Sequence, residues 1–170
     1  MSDLAAIRRN GFIVAGVIFV IDQLIKWAMI VPLQLQSRGV IEIVPIFALR
    51  WTENPGVSLG MLTASNDTQR WLLVAMTALI ATGVAVWMLR EKAKWDVIAL
   101  AMVLGGALGN IVDRARFGYV VDFLDLHFGE FRPFMIFNVA DAAITLGVVL
   151  LLARSLLLRE KPANPTPESN

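Results

Sequence analysis

The chain has 170 residues, of which 57% are hydrophobic and only 17% are charged. The apolar share is higher and the charged share lower than in soluble domains, and a core of this size cannot hide the surplus, so we expect the chain to lie in a membrane. A net charge of +1 without a basic tract gives no support to nucleic-acid binding, and zero cysteines with a single histidine, His127, exclude disulfides, cysteine nucleophiles and Cys- or multi-His metal sites.

Four apolar runs have about the length that crosses a bilayer, which is about 20 residues of helix. They predict spans at residues 11–31, 71–89, 95–112 and 135–153. The third run is short, and we expect Trp95 to anchor its start at the interface. The first run is too long for the apolar part of a cleavable signal peptide and no A-x-A site follows it, so we expect it to remain as the first span.

Two longer segments separate these spans. Residues 32–70 are rich in Ile and Val, alternate in part and are broken by Pro45 and "NPG", which predicts a short β-hairpin or small sheet on the membrane surface. Residues 113–134 form an amphipathic outer loop too irregular to assign. The predicted fold is a mainly α, polytopic membrane protein: a four-transmembrane-helix bundle with a small extracytoplasmic β-segment and an outer loop. We expect residues 1–158 to form a single integral-membrane domain and the Pro-rich residues 159–170 to form a disordered cytoplasmic tail.

Lys and Arg residues near the span ends predict the orientation. Eight of them lie on one side of the predicted bundle, three within the tight turn at residues 90–94, and six are spread through the two longer segments on the other side. We therefore expect both termini in the cytoplasm and the longer segments outside.

Polar side chains interrupt the spans near the predicted outer surface. Asn110 and Asp113 end the third span three residues apart, and Arg114 follows. Asn138 and Asp141 are also three residues apart near the start of the fourth span. If the third helix continues that far, its three polar residues occupy neighbouring positions on one side. The two sets then converge just beneath the outer surface.

Asp141 is the residue for which we most expect a functional role, because a carboxylate inside lipid costs roughly 2.5–3.5 kcal/mol at mid-helix. If the loop residue Asp122 faces it across a few ångströms, the two cannot both ionise easily, so one pKa rises and the pair can hold a single proton near neutral pH. Aspartic proteases use such a pair to activate water against a peptide bond. This chemistry needs no Ser–His pair, cysteine, metal or cofactor, which fits the composition.

Structural roles compete for several charged residues. Asp113 is expected to pair with Arg114 at the interface, where the arginine could also bind a carbonyl or a lipid headgroup. Asp22 and Lys26, four apart on the first span, are expected to form a structural polar pair. Asp125 is expected to be a solvated loop charge.

Other polar and small residues also have simple structural explanations. Asn110 and Asn138, each taken alone, are more often interhelical hydrogen-bonding groups than catalytic ones. Gly105 and Gly109 form a G-x-x-x-G motif for which close helix packing is a sufficient role.

A rival function class is a proton or ion pathway lined by intramembrane charges, which the sequence supplies at Asp22, Lys26, Asp113, Arg114 and Asp141. Against it, these charges cluster in the outer third of the bundle, and the inner halves of the second and third spans carry none. A passive membrane scaffold is a third interpretation, and it leaves Asp141 unexplained.

Several sequence blocks resemble one family of membrane enzymes. "GGALGNIVDR", "VVDFLD" and "FNVADAAI", in that order and spacing, are similar to the signature blocks of the lipoprotein signal peptidases, or signal peptidase II. "DQLIK" and "ENPGVSLG" match further blocks, so the resemblance covers about residues 22–150. One departure is Leu59, at a position where an aromatic residue is more common in the family.

The resemblance implies an aspartic endopeptidase of the bacterial inner membrane with its active site at the outer leaflet. Such enzymes remove the signal peptide from diacylglyceryl-modified prolipoproteins by cutting before the lipidated cysteine, so the implied partners are these substrates and membrane lipids. A monomer is compatible with the sequence, and no cofactor or metal is implied. The family's catalytic aspartates fall on Asp122 and Asp141. Its other motif residues, with substrate-binding or positioning roles, fall on Asn54, Gly56, Asn110, Asp113, Arg114 and Asn138.

Overall fold

Four long helices dominate the computed structural model, which describes residues 2–56 and 66–157. The helices are α1 (Ser2–Ile30), the one-turn α2 (Leu35–Arg38), α3 (Asp67–Arg90), α4 (Lys94–Phe117) and α5 (Val139–Leu157). Each of the four long helices is apolar and long enough to cross a membrane. This confirms the predicted mainly α fold with four candidate spans, while Leu59 and the predicted tail at 159–170 lie outside the described residues.

A small antiparallel sheet sits at one end of the bundle. Its strands are β1 (Val40–Val44), β2 (Phe47–Asn54) and β3 (Val120–Leu126), in the order β1-β2-β3. The first two strands are the predicted hairpin. The third comes from the loop that the sequence pattern left unassigned, because "VVDFLDL" is buried on both faces and shows no simple alternation. We call this side of the molecule the sheet end.

The ends of α4 and α5 differ from the ends of the apolar runs. α4 continues to Phe117 and stops where Gly118 adopts a left-handed conformation with φ of 90°. The Gly118 amide then donates to the carbonyl of Arg114 at 3.1 Å, as at many helix C-termini. α5 begins only at Val139, because Phe137 is still paired with Leu124 of β3. Asp141 therefore lies in the first turn of α5 rather than deeper in the helix.

α4 is the central helix and packs against α1, α3 and α5. Its glycines permit the close approach: a Cβ at Gly105 would lie 2.6 Å from the carbonyl oxygen of Ala15 on α1, and one at Gly106 would clash with the carbonyl oxygen of Ala140 on α5. Small residues at helix contacts are the usual way for membrane helices to pack by dispersion forces. This packing brings the end of α4 directly beside the start of α5.

Candidate active site

Asn138 and Asp141 cap the start of α5 reciprocally. The Asn138 side-chain oxygen accepts from the Asp141 amide at 2.9 Å, and Asp141 Oδ2 accepts from the Asn138 amide at 3.2 Å. This is the capping-box arrangement, with Asn in place of Ser or Thr and Asp in place of Glu. The three-residue spacing in the sequence thus reflects a helix start, and it fixes the Asp141 carboxylate at the sheet end.

Asp122 is brought to the same place by β3. Its side chain is buried, with 1% of the residue exposed. Oδ1 accepts from Asn138 Nδ2 at 2.6 Å, and Oδ2 accepts from Asn54 Nδ2 at 3.0 Å. Asn54 reaches it because β2 and β3 are paired, with Thr52 opposite Asp122. The two aspartates are therefore connected through one asparagine.

Asn110 closes the network from α4. Its Nδ2 donates to Asp141 Oδ1 at 2.8 Å, and its Oδ1 accepts from Asn138 Nδ2 at 3.2 Å. Each amide makes more than one hydrogen bond, so neither can rotate without breaking a contact to an aspartate. The predicted convergence of the two carboxylates and the two amides is what the structure shows.

The environment of Asp122 changes its acidity. Burial raises the pKa of Asp122 to about 7, and the negative charge of Asp141 adds to the effect. The hydrogen bonds from Asn54 and Asn138 act in the opposite direction, since they favour the ionised carboxylate. Asp122 is therefore poised to exchange a proton near neutral pH.

A buried ion cluster lies directly behind Asn110. Lys26 Nζ is 2.9 Å from Asp22 Oδ2 and 2.7 Å from Asp113 Oδ2, and it donates to Asn110 Oδ1 at 3.2 Å. The expectation that Asp113 pairs with Arg114 is wrong: Asp113 points towards α1, where a lysine is available.

The ion cluster also holds the two segments that carry the aspartates. Asp22 Oδ1 accepts from the amide of Ala140, one residue before Asp141, at 3.0 Å. Asp113 Oδ2 accepts from the amide of Val121, one residue before Asp122, at 3.2 Å. Ala140 lies in the first turn of α5, where amides have no partner within the helix, so Asp22 satisfies one of them. Together the two carboxylates fix α5 and β3 to α1 and α4.

Gln23 is a residue that the sequence analysis did not assign. Its Nε2 donates to Asp113 Oδ1 at 2.9 Å and to Asp22 Oδ2 at 3.2 Å. The sequence signal for Gln23 was its position, a neutral polar residue beside Asp22 within an apolar run. Its contact with Asp113 could not be predicted, because Asp113 lies on α4, far along the chain.

Arg114 extends from α4 to the end of β2. Its Nη2 donates to the carbonyl of Gly56 at 2.6 Å, while the Gly56 amide donates to Asn54 Oδ1 at 3.1 Å. Arg114 Nε is buried and makes no hydrogen bond among the described residues. The backbone at Asn54 and Gly56 is thus fixed beside the site.

A cleft of about 300 Å³ opens beside this network. Its polar wall is formed by Asn54, Asn110, Arg114 and Asp141. Its other wall consists of residues from α3, α4 and α5 and the start of β3: Thr77, Ile80, Val103, Ala107, Val120, Ile144 and Thr145. A second cavity of about 390 Å³, lined by Asp96 and Arg154 among others, lies at the opposite end of α4 and contains no predicted site residue.

Asp125 is not the solvated loop charge that was expected. The residue is buried, and its carboxylate binds Arg50 Nε at 2.8 Å and Arg132 Nε at 3.1 Å. Burial alone would raise its pKa, but the hydrogen bonds and charges of the two arginines outweigh burial and hold the pKa of Asp125 below its usual range. Asp125 is therefore a structural ion-pair centre of the sheet.

Comparisons with known proteins agree with this architecture. A profile of the family described as Peptidase_A8, signal peptidase (SPase) II, matches residues 14–157. The lipoprotein signal peptidase of Sphingopyxis alaskensis is 63% identical over 153 residues, which are 90% of this chain and 88% of the relative. The lipoprotein signal peptidase of Rhizorhabdus wittichii is 58% identical over 161 residues, or 94% of each chain.

Two solved structures, both described as bacterial membrane enzymes determined by the in meso method, share the fold. One has a TM-score of 0.74 at 23% identity and covers 91% of this chain and 94% of its own. The other has a TM-score of 0.72 at 25% identity and covers 89% and 94%. With a profile match over most of its length and relatives at this level of identity, the chain belongs to the signal peptidase II family of membrane peptidases.

Proposed function

We propose that the protein is an aspartic endopeptidase that removes the signal peptide from diacylglyceryl-modified prolipoproteins by cutting before the lipidated cysteine. The name of its relatives, lipoprotein signal peptidase, supports the substrate class. The observation that carries the mechanism is the bridge through Asn138, which binds the carboxylate of Asp122 and caps the helix turn of Asp141. Two acids from distant parts of the chain thereby share one hydrogen-bond network.

In this mechanism Asp122 and Asp141 hold one proton between them at neutral pH. The ionised member accepts a proton from water as the water oxygen attacks the scissile carbonyl carbon. The protonated member donates to the carbonyl oxygen, which gives a tetrahedral intermediate with two hydroxyls. The proton gained from water then passes to the amide nitrogen and the C–N bond breaks. As the carboxylic acid product forms, one hydroxyl proton of the intermediate returns to the first acid, so the pair again holds one proton. A pKa of Asp122 near 7 supports this role, because the pair then gains and loses its proton near neutral pH.

The cleft supports binding of an extended peptide at the membrane boundary. Asp141 lies in the first turn of a membrane-spanning helix, at the depth where a lipidated residue at the end of a substrate helix would place its scissile bond. Asn54, Asn110 and Arg114 line the cleft and carry N–H groups that could donate to substrate carbonyls. The apolar wall at Ile80 and Ile144 suits the signal peptide or the lipid chain.

The family and the asymmetry of Lys and Arg support the proposed location. The protein would cross the bacterial inner membrane four times with both termini in the cytoplasm and the sheet end at the outer leaflet. Substrates that carry their lipidated residue at the outer leaflet would then meet the cleft directly.

An ion pathway has less support than peptidase chemistry. Asp22 and Asp113 both pair with Lys26 within a single cluster at the sheet end. Farther along the bundle, the hydroxyls of Thr77 and Thr82 donate to carbonyls of their own helix, so they do not extend the cluster as a chain of free polar groups. Proton or cation flux abolished by Asp141→Asn in proteoliposomes would favour the pathway instead.

The test is the processing of a lipidated precursor by Asp122→Asn and Asp141→Asn in proteoliposomes. Both variants should fold and should lose activity by several orders of magnitude, because each removes a member of the proton-sharing pair. Glu42→Gln, which neutralises an exposed carboxylate on the same sheet, is the matched control and should remain active. Mass spectrometry of the product should place the cut before the lipidated cysteine. Wild-type rates in either Asp variant would contradict the proposal.

A further inference from the structure

The loop between β3 and α5 carries large apolar side chains that nothing in the described chain covers. We call residues 127–137 the aromatic loop. Phe128 and Phe131 pair through backbone hydrogen bonds across a turn at Gly129, so this part of the loop is a tight hairpin turn with Gly129 at its tip. Four of its six large apolar residues are more than half exposed: Phe128 at 54%, Phe131 at 66%, Phe134 at 62% and Met135 at 62%. So many exposed apolar residues in one short loop mark an interaction surface.

The turn between β1 and β2 extends this apolar surface. The amide of His127 donates to the carbonyl of Ile46 at 3.0 Å, which places the aromatic loop beside that turn. Ile43, Val44 and Ile46 are also exposed large apolar residues. Both segments therefore present apolar side chains at the same end of the strands, where the β1–β2 turn lies beside the end of β3.

The length of α5 places this apolar surface relative to the membrane. α5 has 19 residues and so spans about 28 Å at about 1.5 Å per residue, which is close to the roughly 30 Å of a hydrocarbon core. A helix of this length that fills the hydrocarbon core has its first residue, Val139, at the hydrocarbon boundary. Met135 is four residues earlier and reaches at most about 14 Å from it. The end of the aromatic loop is thus confined to the interfacial region of one leaflet.

Charged groups at the base and tip of the loop fit the same depth. Arg132 stands between Phe131 and Phe134, and its Nε binds the buried Asp125 while the side chain stays 40% exposed. An exposed guanidinium beside apolar side chains suits a phosphate headgroup. Glu130, exposed in the turn, limits how deeply the tip can enter lipid.

We propose that the aromatic loop docks on the phospholipid leaflet at the sheet end, with Phe131, Phe134 and Met135 at the boundary between headgroups and acyl chains and Arg132 among the phosphates. The loop returns to the sheet where Phe137 pairs with Leu124 of β3. Docking therefore fixes the depth of β3 in the bilayer. The proposal does not depend on the chemistry assigned to the aspartates.

The absence of cysteine from the chain gives a direct test. Single variants Phe131→Cys, Phe134→Cys and, as a lipid-buried reference on α3, Leu79→Cys are labelled with a polarity-sensitive fluorophore and reconstituted in phospholipid vesicles. All three side chains are exposed in the structure, so the substitutions should not disturb folding. The loop probes should show blue-shifted emission, quenching by lipids with a headgroup-level quencher, and several-fold weaker iodide quenching than the free dye. The Leu79 probe should respond to a quencher placed deep in the acyl chains.

Two outcomes would overturn the proposal. Loop probes with the emission and iodide quenching of the free dye would place the loop in water. Probes shielded from iodide but insensitive to the lipid-borne quencher would mean that protein, such as a second copy of the chain, covers the loop. As a second readout, Arg132→Gln should increase iodide quenching of the Phe134 probe in vesicles, and unchanged quenching would contradict the phosphate contact.

Discussion

The side-chain amide of Asn138 donates to Asp122 across 2.6 Å, the shortest link between β3 and the start of α5 in the active-site network. The same asparagine is the N-cap of α5. Its amide nitrogen therefore serves one aspartate while its carbonyl oxygen holds the helix turn of the other. Because the two functions use different atoms, substitutions can separate them.

Asn138→Ser should retain the helix cap and lose the link to Asp122. Serine is as good an N-cap residue as asparagine, so stability should change by less than about 1 kcal/mol from the cap itself. Peptidase activity should fall on the order of 100-fold, because the aspartates lose their common support. The hydrogen bond from Asn138 lowers the pKa of Asp122, so the alkaline limb of the activity profile should move to higher pH. A purely structural role would not move that limb.

The matched control is Asn66→Ser. Asn66 caps α3 in the same way, with its Oδ1 accepting from the amide of Gln69 at 2.9 Å, and it takes no part in the active-site network. Its activity and pH profile should match those of the wild type. An unshifted profile in Asn138→Ser, or a shifted one in the control, would count against the assignment.

The pH dependence of the wild type follows from Asp122. Its pKa is raised to about 7, so the proton that the proposed mechanism requires is lost as the pH rises through that value, and kcat/KM should fall about tenfold per pH unit above it. The same shift affects stability, because the folded state holds this proton more tightly than the unfolded state does. The proton on Asp122 therefore stabilises the folded state fully below the ordinary pKa of an aspartate, and this stabilisation is lost as the pH rises to about 7.

Thermal unfolding in detergent at pH 5 and pH 8 checks the stability part of this prediction. The difference in stability between the two pH values should be smaller in Asp122→Asn, which has no proton to lose at that position. Equal pH dependence in the variant and the wild type would show that Asp122 is not the group responsible.

Lys26 should be far more important for stability than an exposed ion pair. Its removal in Lys26→Met leaves Asp22 and Asp113 buried without a cation, which should cost about 3–5 kcal/mol. Arg154→Met is the matched comparison, because the pair of Arg154 with Asp96 is partly exposed and should contribute less than about 1 kcal/mol. Denaturant unfolding in detergent measures both losses.

A second variant keeps the Lys26 prediction specific. The double variant Lys26→Met with Asp113→Asn removes one of the two stranded negative charges, so it should recover part of the stability lost in Lys26→Met. If the two losses simply added, the cluster would not act as a unit.

Local features of the site were readable from the sequence, and the long-range pairings were not. The three-residue spacing from Asn138 to Asp141 predicted a shared face, and in the structure it is a helix cap. The ion pair of Arg50 with Asp125 joins residues 75 positions apart and depends on the register of β2 and β3, including an irregularity after Leu49. No sequence period encodes that register, so Asp125 was misassigned to solvent.

Contacts between helices were also only partly predictable from the sequence. The pattern of small residues in α4 predicted close packing, but not which helix each residue meets. Gly105 faces Ala15 of α1, whereas its neighbour Gly106 faces Ala140 of α5. The pairing of Lys26 with Asp113 has the same origin, because it depends on how α1 and α4 are rotated about their axes. That rotation is set by packing along the whole interface.

Gly106→Ala tests whether the approach of α4 to α5 sets the position of Asp141. An added Cβ would clash with the carbonyl oxygen of Ala140 and lie 2.8 Å from Ile144 Cγ1, so the two helices must separate. We expect a loss of about 1–3 kcal/mol in stability, from overpacking. Activity should fall even at temperatures where the variant is fully folded, because Ala140 immediately precedes Asp141 and moves with it.

Gly83→Ala is the control for Gly106→Ala. A Cβ at Gly83 on α3 meets nothing within 4 Å, so this variant should keep full activity and gain about 0.5–1 kcal/mol from the better helix propensity of alanine. Unfolding in detergent and processing of a lipidated precursor are measured for both variants at the same temperature. If Gly106→Ala matched the control in stability and activity, the α4–α5 contact would not be what holds Asp141 in place.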